Sequence, residues 1–401
     1  MFNPLASHQM ESLESRKLLA AGSLDNSYVS PFDGQSNFAM SSDRIVIQKD
    51  GKSIHYAILG DAGIPAPTIW RENLNGSLDT SFGSAGKISV PQAVYAWALQ
   101  DDGKIVAIIS STYPKKIHLT RYDSNGTLDV SFGRGGRALI SDNQGFTIGS
   151  MAMQSDGKIV LAGSNGIDAV VYRVTKNGRI DKNFGSHGAT VVPHHGRATY
   201  VLGEVAVRPS DNRIIAVGEQ NLGSIASARY AVGKDWAVFE FNNRGRLGRR
   251  LMQPTRASDF TGGNASHVAV DSDGSVLIVG NVSHSNTGLG ISASTSTILA
   301  RYPARLRKRA DAVEIEQSGP IAIQNDGKII VADYQHAIRY NHDLSRDNTF
   351  VSGIPDNMDF QATAIALQSD GGLLLDGFNQ YNQEEDFAIF QSIRLSGDSA
   401  S

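Results

Sequence analysis

The chain contains no cysteine. Disulfides, zinc–thiolate sites and cysteine nucleophiles are therefore excluded, while the compartment stays open, since a cysteine-free chain tolerates either redox setting. No apolar run approaches the ~18 residues of a membrane span. Positive charge is not in excess: 37 Lys and Arg against 40 Asp and Glu leave a net charge of −3, so there is no global basic field to hold nucleic acid. Several catalytic signatures are missing as well, among them GxSxG, HExxH, the P-loop and an SxDxGxxW box.

What the chain has in quantity is a repeat. Residues 154–185 read QSDGKIVLAGSNGIDAVVYRVTKNGRIDKNFG. The QxDGK head recurs at Gln48, Gln100 and Gln324, and in weaker form at Arg208 (RPSDNRI), Asp271 (DSDGSV) and Gln368 (QSDGGL). The tail recurs as NGSLDTSFG from Asn75 and NGTLDVSFG from Asn125. Gly51, Gly103, Gly157, Gly274, Gly327 and Gly371, with Asn212 in the fourth copy, mark seven units 44 to 62 residues apart. A length of 401 residues would ordinarily mean two or three domains, but such units cannot stand alone.

Each unit reads as strands. Asp-Gly between two apolar runs is a strong hairpin signal, because a type I′ turn needs positive φ at both central residues. Counting back from each head, large residues occupy the first and third positions (Met153 and Met151, for example) and alanine the second in six of seven copies. Side chains alternate along a strand, so one face is large, the other small, and both are apolar. A strand buried on both faces, followed by three more runs, predicts an all-β, seven-bladed β-propeller with four-stranded antiparallel blades. GSLDNSY, from Gly22, supplies the tail that the last unit lacks. The expected ring is therefore closed by an N-terminal strand in the last blade, with residues 24–32 pairing against 386–395. The expected organisation is a sorting-like or disordered segment over 1–21, the propeller over 22–397 and a disordered tail over 398–401.

Two resemblances add to this. The signature QxDGKI…RY…G-LD-SFG resembles the delta-60 repeat family, which implies a propeller-like repeat protein outside the cytoplasm and no defined chemistry. Glu11, Leu13, Glu14, Arg16, Leu18 and Leu19 resemble the LEPR-XLL segment at the starts of large planctomycete proteins, with Ser15 in place of its usual Pro. That resemblance implies export or surface sorting, hence a secreted or cell-surface bacterial protein.

Candidate sites are few. Asp79, Asp129 and Asp181, each followed three residues on by Phe82, Phe132 and Phe184, read as structural Asx turns with a wedging aromatic. Gly103, Gly157 and Gly327 belong to the same structural set. Calcium is the one metal the spacing from Asp123 to Asp129 admits, although the loop lacks an EF-hand's terminal Glu; otherwise no cofactor is expected. Two basic clusters occur in degenerate units: Arg244, Arg246, Arg249 and Arg250, then Arg305, Arg307, Lys308 and Arg309. They fit either a solvated edge or a patch for a polyanion. The long loops 219–234 and 281–297 lie on the face opposite the Asp-Gly turns. An aromatic groove there would draw on Tyr230, Trp236, Tyr334, Phe378 and Tyr381. The expectation is a monomeric, non-enzymatic interaction module that binds a protein or glycan through this long-loop face. The alternatives are a cell-envelope glycan lyase or hydrolase with its site at the channel mouth, and a pure scaffold.

Overall fold

The computed structural model describes residues 23–31, 44–61, 64–110, 117–141, 146–196, 198–221, 234–251, 260–285, 293–304, 306, 310–316, 318–332, 336–354, 360–379 and 389–396. They form seven antiparallel sheets taken in chain order, each a blade of one propeller. Blade 3 is representative: inner strand Thr147–Met153, then Ile159–Ser164, Ala169–Val174 and outer strand Ala189–Val192. Blades 1 to 5 have four laddered strands, and blades 6 and 7 have three among the described residues. No described helix is long and apolar enough to cross a membrane.

The hairpins form where expected. Gly51, Gly103, Gly157 and Gly327 sit at φ of 83, 82, 77 and 83°, and Asn212 takes φ 55° in the glycine position. Asn tolerates that region better than most residues with a Cβ. The core lies between blades. Ala152 packs into the blade 3–4 cluster with Tyr200, Leu202 and Val205, whereas Met151 and Met153 pack backwards into the blade 2–3 cluster. The small face thus meets the next blade and the large face the previous one.

Five inner strands carry a β-bulge at the same place. The residue left out of register is Tyr95, Gly149, Gly203, Ser266 or Thr363, each five positions before its head. A bulge re-aims the side chains beside it.

Ring closure is shorter than the sequence predicts. Leu24 bridges Leu395, the Asp25 N–H donates to the Arg394 carbonyl at 2.8 Å, and the Ser396 N–H donates to Ser23 at 2.7 Å. Behind this lies a buried polar seam. The Glu72 carboxylate accepts from the Tyr28 hydroxyl, from Ser30 at 2.7 Å and from the Trp70 indole at 2.7 Å. His55 links Asp376 of blade 7 (Nδ1, 2.8 Å) to Ser53 (Nε2, 2.7 Å) and stacks on Trp70. Burial, then the Glu72 charge, pushes the Tyr28 hydroxyl well above its ordinary pKa. Ser53, His55 and Asp376 are ordered like a catalytic triad, but each is at most 1% exposed, so they serve the seam.

Blade height varies on the face opposite the Asp-Gly turns. In blade 5 the middle strands are Val276–Ser285 and Ala293–Tyr302, paired up to Ser285 with Ala293. Most of 281–297, expected as a loop, is therefore a tall hairpin, with 286–292 outside the described residues. Blade 1 is tall in the same way, through Ser53–Asp61 and Ile64–Glu72.

Candidate functional site

The repeat signature builds one buried cluster per regular blade. In blade 2, Arg121 and Lys104 both reach the Asp129 carboxylate at 2.7 Å, and Arg121 lies 4.6 Å over the Phe132 ring. Gln100 of the head accepts from the same guanidinium at 3.0 Å, and Ser131 closes an Asx turn on Asp129. The last donor of Arg121 goes to the Lys176 carbonyl of blade 3 at 2.5 Å. Arg71–Asp79–Phe82 and Arg173–Asp181–Phe184 repeat this arrangement in blades 1 and 3. Burial alone would raise the pKa of Asp79 and Asp129. Their Lys, Ser and Arg partners outweigh it and hold both carboxyls far below the ordinary range. Each of these two carboxylates is paired with two cationic side chains, a lysine and an arginine.

Blade 6 has the same cluster, Arg339–Asp347 at 2.9 Å with Phe350 beneath. Its tail reads SRDNTF, and Arg346 in the leucine position hides it from the LDxSFG pattern. The degenerate blades keep the charge pair in other positions. In blade 4, Arg208 occupies the head position of Gln, and Glu240 the strand position of Arg. They pair at 3.3 Å, both nearly buried, with Arg213 at 3.6 Å in the place of the head lysine. The tail aspartate position is Gly248, whose missing side chain would point toward Glu240. In blade 5 the acid is in the head, as Asp271, and pairs with Arg301 at 2.6 Å. Asp273 and His342 join it in a group whose ligand atoms lie within 4.8 Å of one another. The Arg301 guanidinium sits among them, 2.6 Å from His342, and fills the place a cation would take.

The sequence-based aromatic set does not come together in the described residues. Trp236 is 1% exposed, packed between blades 4 and 5 with its indole donating to the Asn281 carbonyl at 2.8 Å. Phe378 lies on the second strand of blade 7, Leu373–Asn379. Tyr230, Tyr334 and Tyr381 fall outside the described residues, as do Arg305, Arg307, Lys308 and Arg309. Arg244, Arg246 and Arg249 are exposed on the turn and outer strand of blade 4, whereas Arg250 is half-buried over the Tyr200 ring at 4.9 Å.

The channel wall holds groups that sequence reasoning passed over. Four positions before the head stand Arg44, Ser150, Glu204 and His267 in blades 1, 3, 4 and 5, the last three just after a bulge. Glu204 accepts from the Val268 N–H of the next blade at 2.7 Å and lies 3.7 Å from the His267 imidazole. Arg44 reaches past blade 2 to the Met151 carbonyl of blade 3, at 3.1 Å. Ser266 is hydrogen-bonded to Ser318 of blade 6 at 2.9 Å. Solvent reaches about a quarter of the His267 side chain (27%), yet desolvation in the channel pushes its pKa down to about 4. At neutral pH the wall therefore presents a carboxylate, a guanidinium and a neutral imidazole. Extending the alignment of heads by one position would have found this set.

Comparison with known proteins agrees with this architecture. Residues 100–132 and 154–184, in blades 2 and 3, match the family described as "Domain of unknown function (DUF5122) beta-propeller". No curated protein matches the sequence. Among solved structures the chain is similar to polysaccharide lyase Uly1, at 12% identity and TM-score 0.56 over 98% of this chain and 94% of that one. It is also similar to the extracellular domain of a hybrid two-component system from B. thetaiotaomicron, at 10% identity and TM-score 0.50 over 94% of this chain and 40% of that one. At such identities the likeness is one of fold.

Proposed function

We propose that this propeller is an exported interaction module whose protein or glycan ligand docks on the long-loop face, at the mouth of the channel. The observation that carries the reading is the asymmetry between the two faces. The Asp-Gly turns and Asp-Phe tails are engaged in buried ion-pair clusters, while blades 1, 4 and 5 rise on the other side to different heights. Variation on a constant framework is how repeat rings host sites. Arg44, Glu204 and His267 give that channel polar groups to orient a ligand. The delta-60-like repeats and the LEPR-XLL-like segment support a secreted or surface location in a bacterium, and the ring is proposed to act as a monomer without a cofactor.

A second reading, a cell-envelope glycan lyase or hydrolase, is favoured by one observation. A carboxylate 3.7 Å from a neutral imidazole has the composition of a general acid–base pair. The test is a ligand screen on a glycan array and by pull-down, followed by two variants. Excising 222–233 and 286–292 together, each replaced by a two-residue Asn-Gly turn, should abolish binding and leave thermal unfolding nearly unchanged. Glu204→Gln should weaken binding in a module, but in an enzyme should remove turnover of a bound glycan while binding persists. Normal binding by the excised variant overturns the reading.

A further inference from the structure

On the opposite face, the outer corners of blades 2, 3 and 4 carry an arc of exposed positive charge. Blade 2 contributes Arg134 and Arg137. Blade 3 contributes Lys176, Arg179 and Lys182, and blade 4 adds Arg244, Arg246 and Arg249. In the three stretches 123–141, 175–192 and 242–251 the carboxylates are Asp123, Asp129 and Asp181. Asp129 and Asp181 are buried and held by Arg121 and Arg173, and Asp123 is tied to Lys104 at 3.0 Å, so one partly exposed acid stands against eight exposed cations. The chain as a whole is net acidic, so this segregation does not follow from its composition.

The arc is continuous through the backbone. The Gly133 N–H of the blade 2 tail donates to the Asn177 carbonyl in the blade 3 turn at 2.9 Å, and the Gly185 N–H of the blade 3 tail donates to Arg244 in the blade 4 turn at 2.9 Å. Thr190 adds a second tie, to the Gly245 carbonyl at 2.7 Å. Charge recurs with the repeat: Arg179 follows the turn glycine Gly178, and Arg246 follows Gly245. Between tail and turn at the second junction lies an open cleft of about 660 Å³, lined by Ser186, Thr190, Arg244 and Arg246.

We propose that this arc binds a linear polyanionic polysaccharide, one whose carboxylate or sulfate groups repeat along the chain. Six of the eight cations are arginine, whose planar fork matches such oxyanions two bonds at a time. Periodic charge spread over three blades fits a polymer and exceeds what one small anion spans. The three stretches expose no phenylalanine, tyrosine or tryptophan ring, and so lack the usual stacking platform for single-stranded nucleic acid and the interfacial anchor for a bilayer. The clefts between blades receive inserted groups where a bilayer would require projecting ones. This site is independent of the long-loop face.

The test uses the full chain with dextran sulfate, polygalacturonate and neutral dextran as probes, alongside phosphatidylserine vesicles and duplex DNA. The wild type should bind both charged polysaccharides, ignore neutral dextran, and weaken steeply with salt. The triple variant R134Q/R179Q/R246Q should lose roughly tenfold or more in affinity with an unchanged melt, and R134E/R179E/R246E should lose more. If the glutamate variant fails to fold, the glutamine variant decides alone. The 222–233/286–292 excision and Glu204→Gln should leave this binding intact, which separates it from the site proposed above. The assignment is overturned if the wild type binds neither charged polysaccharide at low salt, if the glutamine variant binds like the wild type, or if vesicles or DNA bind more tightly than both.

Discussion

Arg394 and Asp25, 369 positions apart in sequence, form the ion pair that Arg71 and Asp79 form across eight. Asp25 also closes the same Asx turn, on Ser27 at 3.0 Å, and Tyr28 stands where the tail phenylalanine stands elsewhere. The N-terminal segment is thus a repeat tail displaced to the other end of the chain. Deleting residues 1–31 should take Asp25 from Arg394, take Tyr28 and Ser30 from Glu72, and open a sheet edge. Removing one partner of a buried pair costs about 3–5 kcal/mol. A fall in chemical-denaturation midpoint checks this, and an unchanged midpoint would argue against closure.

Asp129→Ala should cost about 3–5 kcal/mol, because it leaves Arg121 buried without its carboxylate. The same clusters set an acid limit. Asp79, Asp129 and Asp347 have folded pKa values lowered beneath 3.8, so their contribution is complete above the unfolded value and is lost as pH falls through the folded one. Stability should hold from neutrality to about pH 5 and then decline steadily. Asp129→Ala should flatten part of that decline in urea titrations at several pH values.

Blade 4 offers a charge-swap experiment. Arg208→Glu should be strongly destabilising, since it buries a second carboxylate against Glu240. The double variant R208E/E240R should recover most of the loss, because it reproduces the head-acid, strand-arginine order of Asp271 and Arg301 in blade 5. A double-mutant cycle showing only additive losses would count against the equivalence of the two pairs.

Ala152→Leu should destabilise by about 1–3 kcal/mol through overpacking, while Met153→Leu roughly conserves volume and should change little. Ala152 points into the fully formed blade 3–4 cluster and Met153 only borders the blade 2–3 cluster. Equal midpoints for the two variants would mean the faces are reversed.

His267, with a pKa of about 4 in the channel against 6.5 for a free imidazole, should stay neutral from pH 8 down to 5 in an NMR titration. Its unfolded state takes up a proton first, so its share of stability is present above pH ~6.5 and is lost as pH falls toward 4. His267→Asn should remove that slope. A midpoint near 6.5 in the folded protein would refute desolvation in the channel.

Much of the ring was legible because each Asp-Gly turn is a backbone requirement that only a few residues meet. The three positions before each head were legible too, since packing between blades makes them nearly uniform. The fourth position was not. Arg44, Ser150, Glu204 and His267 share a place on the wall but no side-chain type, and a repeat pattern discards what varies. Trp236 misled for a related reason: an aromatic beside a long loop looks available until the neighbouring blade is seen to cover it. The 281–297 hairpin was obscured because its Ser and Thr residues read as loop, although β-branched Thr295 and Thr297 pair in register with Ser283 and Asn281.

The guanidiniums of Arg71, Arg121 and Arg173 each give their last hydrogen bond to a carbonyl of the following blade: Ser124, Lys176 and Asn243. Each of these three blades is therefore incomplete by one acceptor until its successor is in place, and the dependence runs in a single direction from blade 1 to blade 4. A fragment cut at a blade boundary carries a buried cation short of a partner at its leading edge, and water must enter to satisfy it. Partly assembled rings that end at blade 1, 2 or 3 are penalised. The seven units should accordingly behave as one cooperative body, melting in a single transition and yielding no stable half-propeller.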